Sequence, residues 1–177
     1  MALTLGMATL SGCSQPQDDS ETIRQSLSSE LDSIKSLDDT FVTEFSESIN
    51  MSQLSMYGID GVEFMKAYLN GFDYTIDDIT VNGDTAEAQI TLTCKSYTGY
   101  QKALEEAVTK ITENPDELAG MSNEDINKKI GEIVTGSLDN VELKPTEPIT
   151  ITYTKVNDVW EPASSTSGDI SAALMTN

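Results

Sequence analysis

The sequence contains no histidine. That absence removes the commonest general base, the commonest metal ligand and the usual pH switch. It also excludes Ser-His-Asp and Cys-His nucleophile systems. Cysteine is nearly absent as well: Cys13 and Cys94 are the only two, too few for a disulfide framework. Cations are scarce, with ten Lys and Arg against thirty Asp and Glu and a formal net charge of −20. A field of that sign repels phosphate backbones and anionic headgroups, which weighs against nucleic-acid binding and favours colloidal solubility. No run after Leu10 approaches the ~18 consecutive apolar residues that a spanning helix needs. The G-x-G-x-x-G, P-loop, G-x-S-x-G, S-x-x-K and C-x-x-C patterns are all missing, so the sequence implies no cofactor and no metal.

What is present begins with an uncharged apolar stretch, Met1 to Gly12, reading MALTLGMATLSG. It has the apolar core and small-residue cleavage site of a secretory leader, without the basic start. Leu10-Ser11-Gly12-Cys13 matches the lipobox of bacterial lipoproteins, L-[AS]-[GA]-C. That resemblance implies a signal peptide over 1–12, a diacylglycerol on the Cys13 sulfur, and a protein held on the extracytoplasmic face of a cell membrane. Residues 13–20 then read as the lipidated cysteine and a polar tether, with Pro16, Asp18 and Asp19 in it. Seven residues after the cysteine reach at most about 25 Å. With Cys13 lipidated, Cys94 is left unpaired.

Residues 21–177 have the size of a single domain. Ile23, Leu27, Leu31, Ile34 and Leu37 recur in steps of three and four, predicting an amphipathic helix from Glu21 with Ser20 as N-cap. A second helix is expected over 39–49, then a Met-rich stretch, then a third helix framed by Gly58, Gly61 and Gly71. The period next changes to two. A strand from Phe72 to Val81, the Asn82-Gly83 turn signal and a returning strand from Asp84 to Tyr97 predict a long hairpin. The apolar parity slips over Asp77-Asp78, which predicts a β-bulge. Helical spacing returns from Leu104 to Ile111 and from Ser122 to Leu138. A second hairpin follows, with Ile149, Ile151 and Tyr153 leading through Asn157-Asp158 to Trp160, and about one helical turn near Ile170 to Met175. The expected fold is α+β: N-terminal helices on a curved antiparallel sheet of about four strands, with a helical insertion between the hairpins.

The run Ile79-Thr80-Val81-Asn82-Gly83-Asp84-Thr85-Ala86 and the segment Lys155 to Trp160 resemble two hairpins of uncharacterised lipoproteins in the nuclear transport factor 2-like (cystatin-like) superfamily. The resemblance covers about half of the chain after Cys13, and the insertion from Gly99 to Leu143 departs from it. It implies a cone-shaped pocket between sheet and helices, which some enzymes of that superfamily, the ketosteroid isomerases among them, equip with an Asp and a Tyr. Tyr68, Tyr74, Tyr97, Tyr153 and Trp160 could line such a pocket, though aromatics on helices and strands are more often plain core. Asp77 and Asp78 are the carboxylates that a bulge could aim into it. The segment Asp78 to Gln89 is a poor calcium loop, because its twelfth position lacks Glu. Cys94, on the apolar strand face, reads as an inert buried thiol.

Three functions remain open. The first is a non-enzymatic module that binds a small ligand or a protein partner at the membrane. The second is a small-pocket isomerase or hydratase using an Asp-Tyr pair. The third is a structural envelope protein. A buried carboxyl facing a tyrosine hydroxyl would mark the second.

Overall fold

The computed structural model describes residues 18–38, 42, 55–114, 118–175 and 177. The leader, Cys13, most of the tether, nearly all of the expected 39–49 helix and Pro115 to Glu117 lie outside the described residues.

The first helix, α1 (Asp19–Ser36), starts two residues earlier than the sequence pattern predicts. Its N-cap is Asp18 rather than Ser20: the Asp18 carboxylate accepts the Ser20 N–H at 3.1 Å and the Ser20 hydroxyl at 2.9 Å. An aspartate here also favours the positive end of the helix dipole. Ile23, Leu27 and Leu31 are fully buried, each stabilising the fold by about 1.5–3 kcal/mol. The next described helix, α2 (Gly61–Leu69), is capped by Asp60, whose side chain accepts from Val62 and Glu63. It buries Met65 and Leu69 on the same core.

Strands β1 (Asp73–Asn82) and β2 (Thr85–Lys95) form the long hairpin. Its turn is centred on Gly83-Asp84, one residue later than the Asn-Gly signal suggested. Gly83 takes φ +61, the first central position of a II′ turn, where a side chain would be strained. The predicted bulge is present: the register shifts between Ile76 and Asp78, leaving Asp77 as the extra residue. After β2 come α3 (Tyr97–Glu113) and α4 (Asn123–Gly136), the helical insertion. Ser122 and Asp125 form a reciprocal capping box at the start of α4.

The chain returns through a short strand that the sequence reading did not foresee, β3 (Leu143–Pro145), and then β4 (Ile149–Val156) and β5 (Val159–Pro162). Both β3 and β4 pair with β2, in sequence from its end to its start. Between them Thr93 pairs with Pro145 and Ile90 with Ile149, so β4's side carries one residue more. The main chain stays tied across this second irregularity. Thr146 N–H donates to the Leu92 carbonyl at 2.8 Å, and Leu92 N–H donates to the Thr146 hydroxyl at 3.1 Å. Two irregularities therefore flank β2, one between Gln89 and Ile90 on the β1 side and one opposite Thr91 and Leu92 on the other. The β4–β5 turn, Asn157-Asp158, has φ of 51 and 62, the I′ geometry of a two-residue hairpin. A last helix, α5 (Thr166–Leu174), is longer than the single turn expected.

The result is an antiparallel sheet in the order β1-β2-β4-β5, with β3 extending the β4 side of β2. One face is the core. Ala86, Ala88, Ile90, Leu92 and Cys94 of β2, with Ile151, Tyr153 and Trp160, meet α1, α2 and α5. The other face carries exposed Thr75, Thr80, Glu87, Gln89, Thr150, Thr152 and Thr154. The insertion has a second, smaller core of Tyr100, Leu138 and Val141. Buried Lys95 joins it to the sheet, donating to the Leu138 carbonyl at 2.7 Å. Among the described residues, no helix is long and apolar enough to cross a membrane.

Candidate functional site

Among the described residues, Glu30 of α1 is a carboxyl drawn into the core side of the sheet. On α1, Arg24 bonds the Ile76 carbonyl at 3.3 Å beside the first bulge. Lys35 pairs with Asp73 at 2.8 Å, and Asp32 accepts the Tyr74 hydroxyl at 2.8 Å. These three fix one flank of the helix to β1. Glu30, by helical spacing, lies on the opposite flank of the buried stripe. Its Oε1 is buried and without a hydrogen-bond partner. Burial raises its pKa from 4.5 to about 7, because the charged form loses its hydration there.

Tyr153, on β4, is fully buried and its hydroxyl has no partner either. Burial pushes that hydroxyl far up, and the charge of Glu30 pushes it in the same direction. A carboxyl from α1 and a phenol from β4 thus share one low-dielectric environment, each short of a hydrogen bond. The Thr166 hydroxyl at the start of α5 is also buried and unpartnered. Glu30 was absent from the sequence reading because it sits on a helix whose acidic residues mostly face solvent. Its spacing of three from Leu27, at the border of the stripe, was the available signal.

The expected site residues are placed as follows. Asp77 and Asp78 are both exposed and point to the open face. There Asp77 accepts from the Thr91 hydroxyl at 2.7 Å and the Thr75 hydroxyl at 3.0 Å, and Asp78 accepts from Thr80 at 2.9 Å. The bulge turns these carboxylates away from the core. The aromatics do not converge. Tyr68 donates to the Leu174 carbonyl at 2.8 Å, and burial lifts its pKa to about 12. Tyr74 is tied to α1, Tyr97 is half-buried at the start of α3, and Trp160 is at the β4–β5 turn. Only Tyr153 sits at the centre of the core face without a partner. Cys94 is buried, its thiol pushed up by burial, and its sulfur accepts from Asn177 Nδ2 at 3.0 Å.

Trp160 belongs to a clasp around the first residue of α1. Its indole N–H donates to Asp19 Oδ1 at 3.0 Å, while Lys155 approaches the two carboxylate oxygens at 2.9 and 3.2 Å and lies 5.4 Å from the Trp160 ring centroid. The indole hydrogen bond and then the lysine hold the Asp19 carboxyl below the usual range.

A groove of about 680 Å³ opens at the other end of β4. Pro145 to Thr150 line one wall, and Asp169, Ala172, Ala173 and Asn177 the other. The lining is mixed: prolines, Ile149 and the alanines against two carboxylates, Glu147 and Asp169, with no cation. Such a surface admits neutral or positively charged groups and disfavours anions. Among the described residues, no cluster of three His, Cys, Asp or Glu side chains could hold a metal ion. No protein-family profile, curated protein or solved structure matches the chain.

Proposed function

We propose that this chain is a bacterial lipoprotein, held by a lipid on Cys13 at the extracytoplasmic face of the cell membrane, and that its domain is a non-enzymatic binding module. The anchor rests on Leu10-Ser11-Gly12-Cys13 at the end of an apolar leader. The observation that carries the binding role is the open groove of mixed polarity between the β3–β4 segment and α5. The resemblance of the two hairpin segments to those of nuclear transport factor 2-like lipoproteins is part of this reading, and a shared fold would carry no activity by itself.

Replacing Cys13 with Ser removes the sulfur that would be alkylated, and the protein then appears in the soluble fraction. Retention in the membrane fraction would sink the anchor. For binding, native mass spectrometry of the purified protein shows a co-purified mass that is lost in Ala172→Trp, which adds bulk on the α5 wall of the groove. The same spectrum from both proteins contradicts a ligand there.

A second reading is favoured by Glu30 and Tyr153. A buried carboxyl whose pKa is raised to about 7, within electrostatic reach of an unpartnered phenol, supplies the two group types of general acid–base chemistry. In that reading Glu30, not Asp77 or Asp78, moves the proton and Tyr153 donates a hydrogen bond. Glu30→Gln would abolish turnover of such a substrate while leaving groove occupancy unchanged.

A further inference from the structure

One end of the domain gathers three points of the chain. Asp19, where α1 begins, is bonded to Lys155 and Trp160 at the β4–β5 turn. The Lys155 N–H in turn donates to the Asp84 carbonyl at 2.8 Å, in the β1–β2 turn. Val156 and Val159 face each other across the second of these turns, 42% and 41% exposed. The groove is at the opposite end: from Ile149 to Val156 is seven strand steps, about 23 Å. Between Cys13 and Asp19 lie five residues, which with the flanking bonds extend to about 20 Å at most. The tether is therefore shorter than the strand that separates the turns from the groove, and it joins the domain at the turns.

We propose that the end formed by the Asn82–Thr85 and Val156–Val159 turns rests against the lipid surface, while the groove opens away from it. This rests on the Cys13 anchor. The charges at that end define the surface it fits. Asp18, Asp84 and Asp158 are acidic, and the one nearby cation, Lys155, is already paired with Asp19. Among the described residues at this end the charge is therefore net acidic, so anionic headgroups are repelled and zwitterionic ones are not, and the exposed valine pair supplies an apolar contact.

The chain holds one tryptophan, and it is at this end. The lipidated protein is reconstituted in phosphatidylcholine vesicles, with and without a nitroxide spin label on the lipid headgroup. A fluorophore on Glu147→Cys marks the groove, since Cys94 is buried and Cys13 blocked. Headgroup-labelled lipid is expected to quench Trp160 and leave the Glu147 probe unchanged. Equal quenching of both, or quenching at the groove alone, overturns the orientation while the anchor stands. If Cys13→Ser binds the same vesicles as tightly, the anchor fails, and the orientation with it. Added phosphatidylglycerol is expected to weaken the Trp160 quenching; a stronger effect would contradict the charge argument.

Discussion

At the scale of single residues, Glu30 has the most to reveal about stability. Its folded pKa, about 7, lies above the 4.5 of the unfolded chain. Between those values the folded state binds the proton more tightly. The contribution is therefore fully present below pH 4.5 and is lost as pH rises through 7. With allowance for its partial exposure, the loss is roughly 1–3 kcal/mol. Asp19, Asp73 and Asp125, all held below the usual range by hydrogen bonds, work in the opposite direction as pH falls. The comparison with Glu30→Gln isolates the one group. Urea unfolding is expected to show the variant more stable than the parent at pH 8 and nearly equal at pH 5. A variant weakened equally at both pH values would show that Glu30 is a structural hydrogen-bond acceptor instead. Glu30 also marks where sequence reading ran out. The parity slip at Asp77-Asp78 correctly located a bulge but not its direction. Which way a bulge turns its extra residue depends on pairing with β2, which no local pattern encodes.

At the scale of elements, periodicity was informative where one face meets the core and the other meets water. The stripe of α1 and the alternation of β2 were legible for that reason, and the Asn157-Asp158 turn by its residue types, while the Asn-Gly signal placed the first turn one residue early. Strand β3 was not, because Leu143, Lys144 and Pro145 are all exposed and three residues cannot show a period. Helix α5 was underestimated because its Ser-, Gly- and Thr-rich sequence has weak helix propensity, and packing of Leu174 on the core overrides it. The insertion depends on a close approach that only glycine permits. Gly131 of α4 is buried, and a Cβ there would overlap the Tyr57 carbonyl oxygen and press on Ile59. Gly131→Ala is expected to destabilise the domain by about 1–3 kcal/mol, despite alanine's better helix propensity. Gly136→Ala, with open space around its Cβ position, serves as the control and is expected to be neutral or stabilising. Equal thermal midpoints for the two variants would contradict the packing of α4 on that turn.

At the scale of the whole molecule, charge dominates. Thirty acids against ten bases leave the compact state under self-repulsion, and the described ion pairs are few and largely exposed, each of little value alone. Raising salt from about 10 mM to 150 mM shortens the Debye length from about 30 to about 8 Å. The thermal midpoint is expected to rise over that range; a fall would mean that the pairs outweigh the repulsion. The same charge, the short tether and the clasp at Asp19 fit a domain that stays near a membrane without adhering to anionic lipid. That account depends on Cys13. Intact mass measurement of the protein extracted from its native membrane tests it most directly. The account predicts a chain that starts at Cys13 and is heavier by a diacylglyceryl group. A chain retaining residues 1–12, or an unmodified Cys13, would contradict it.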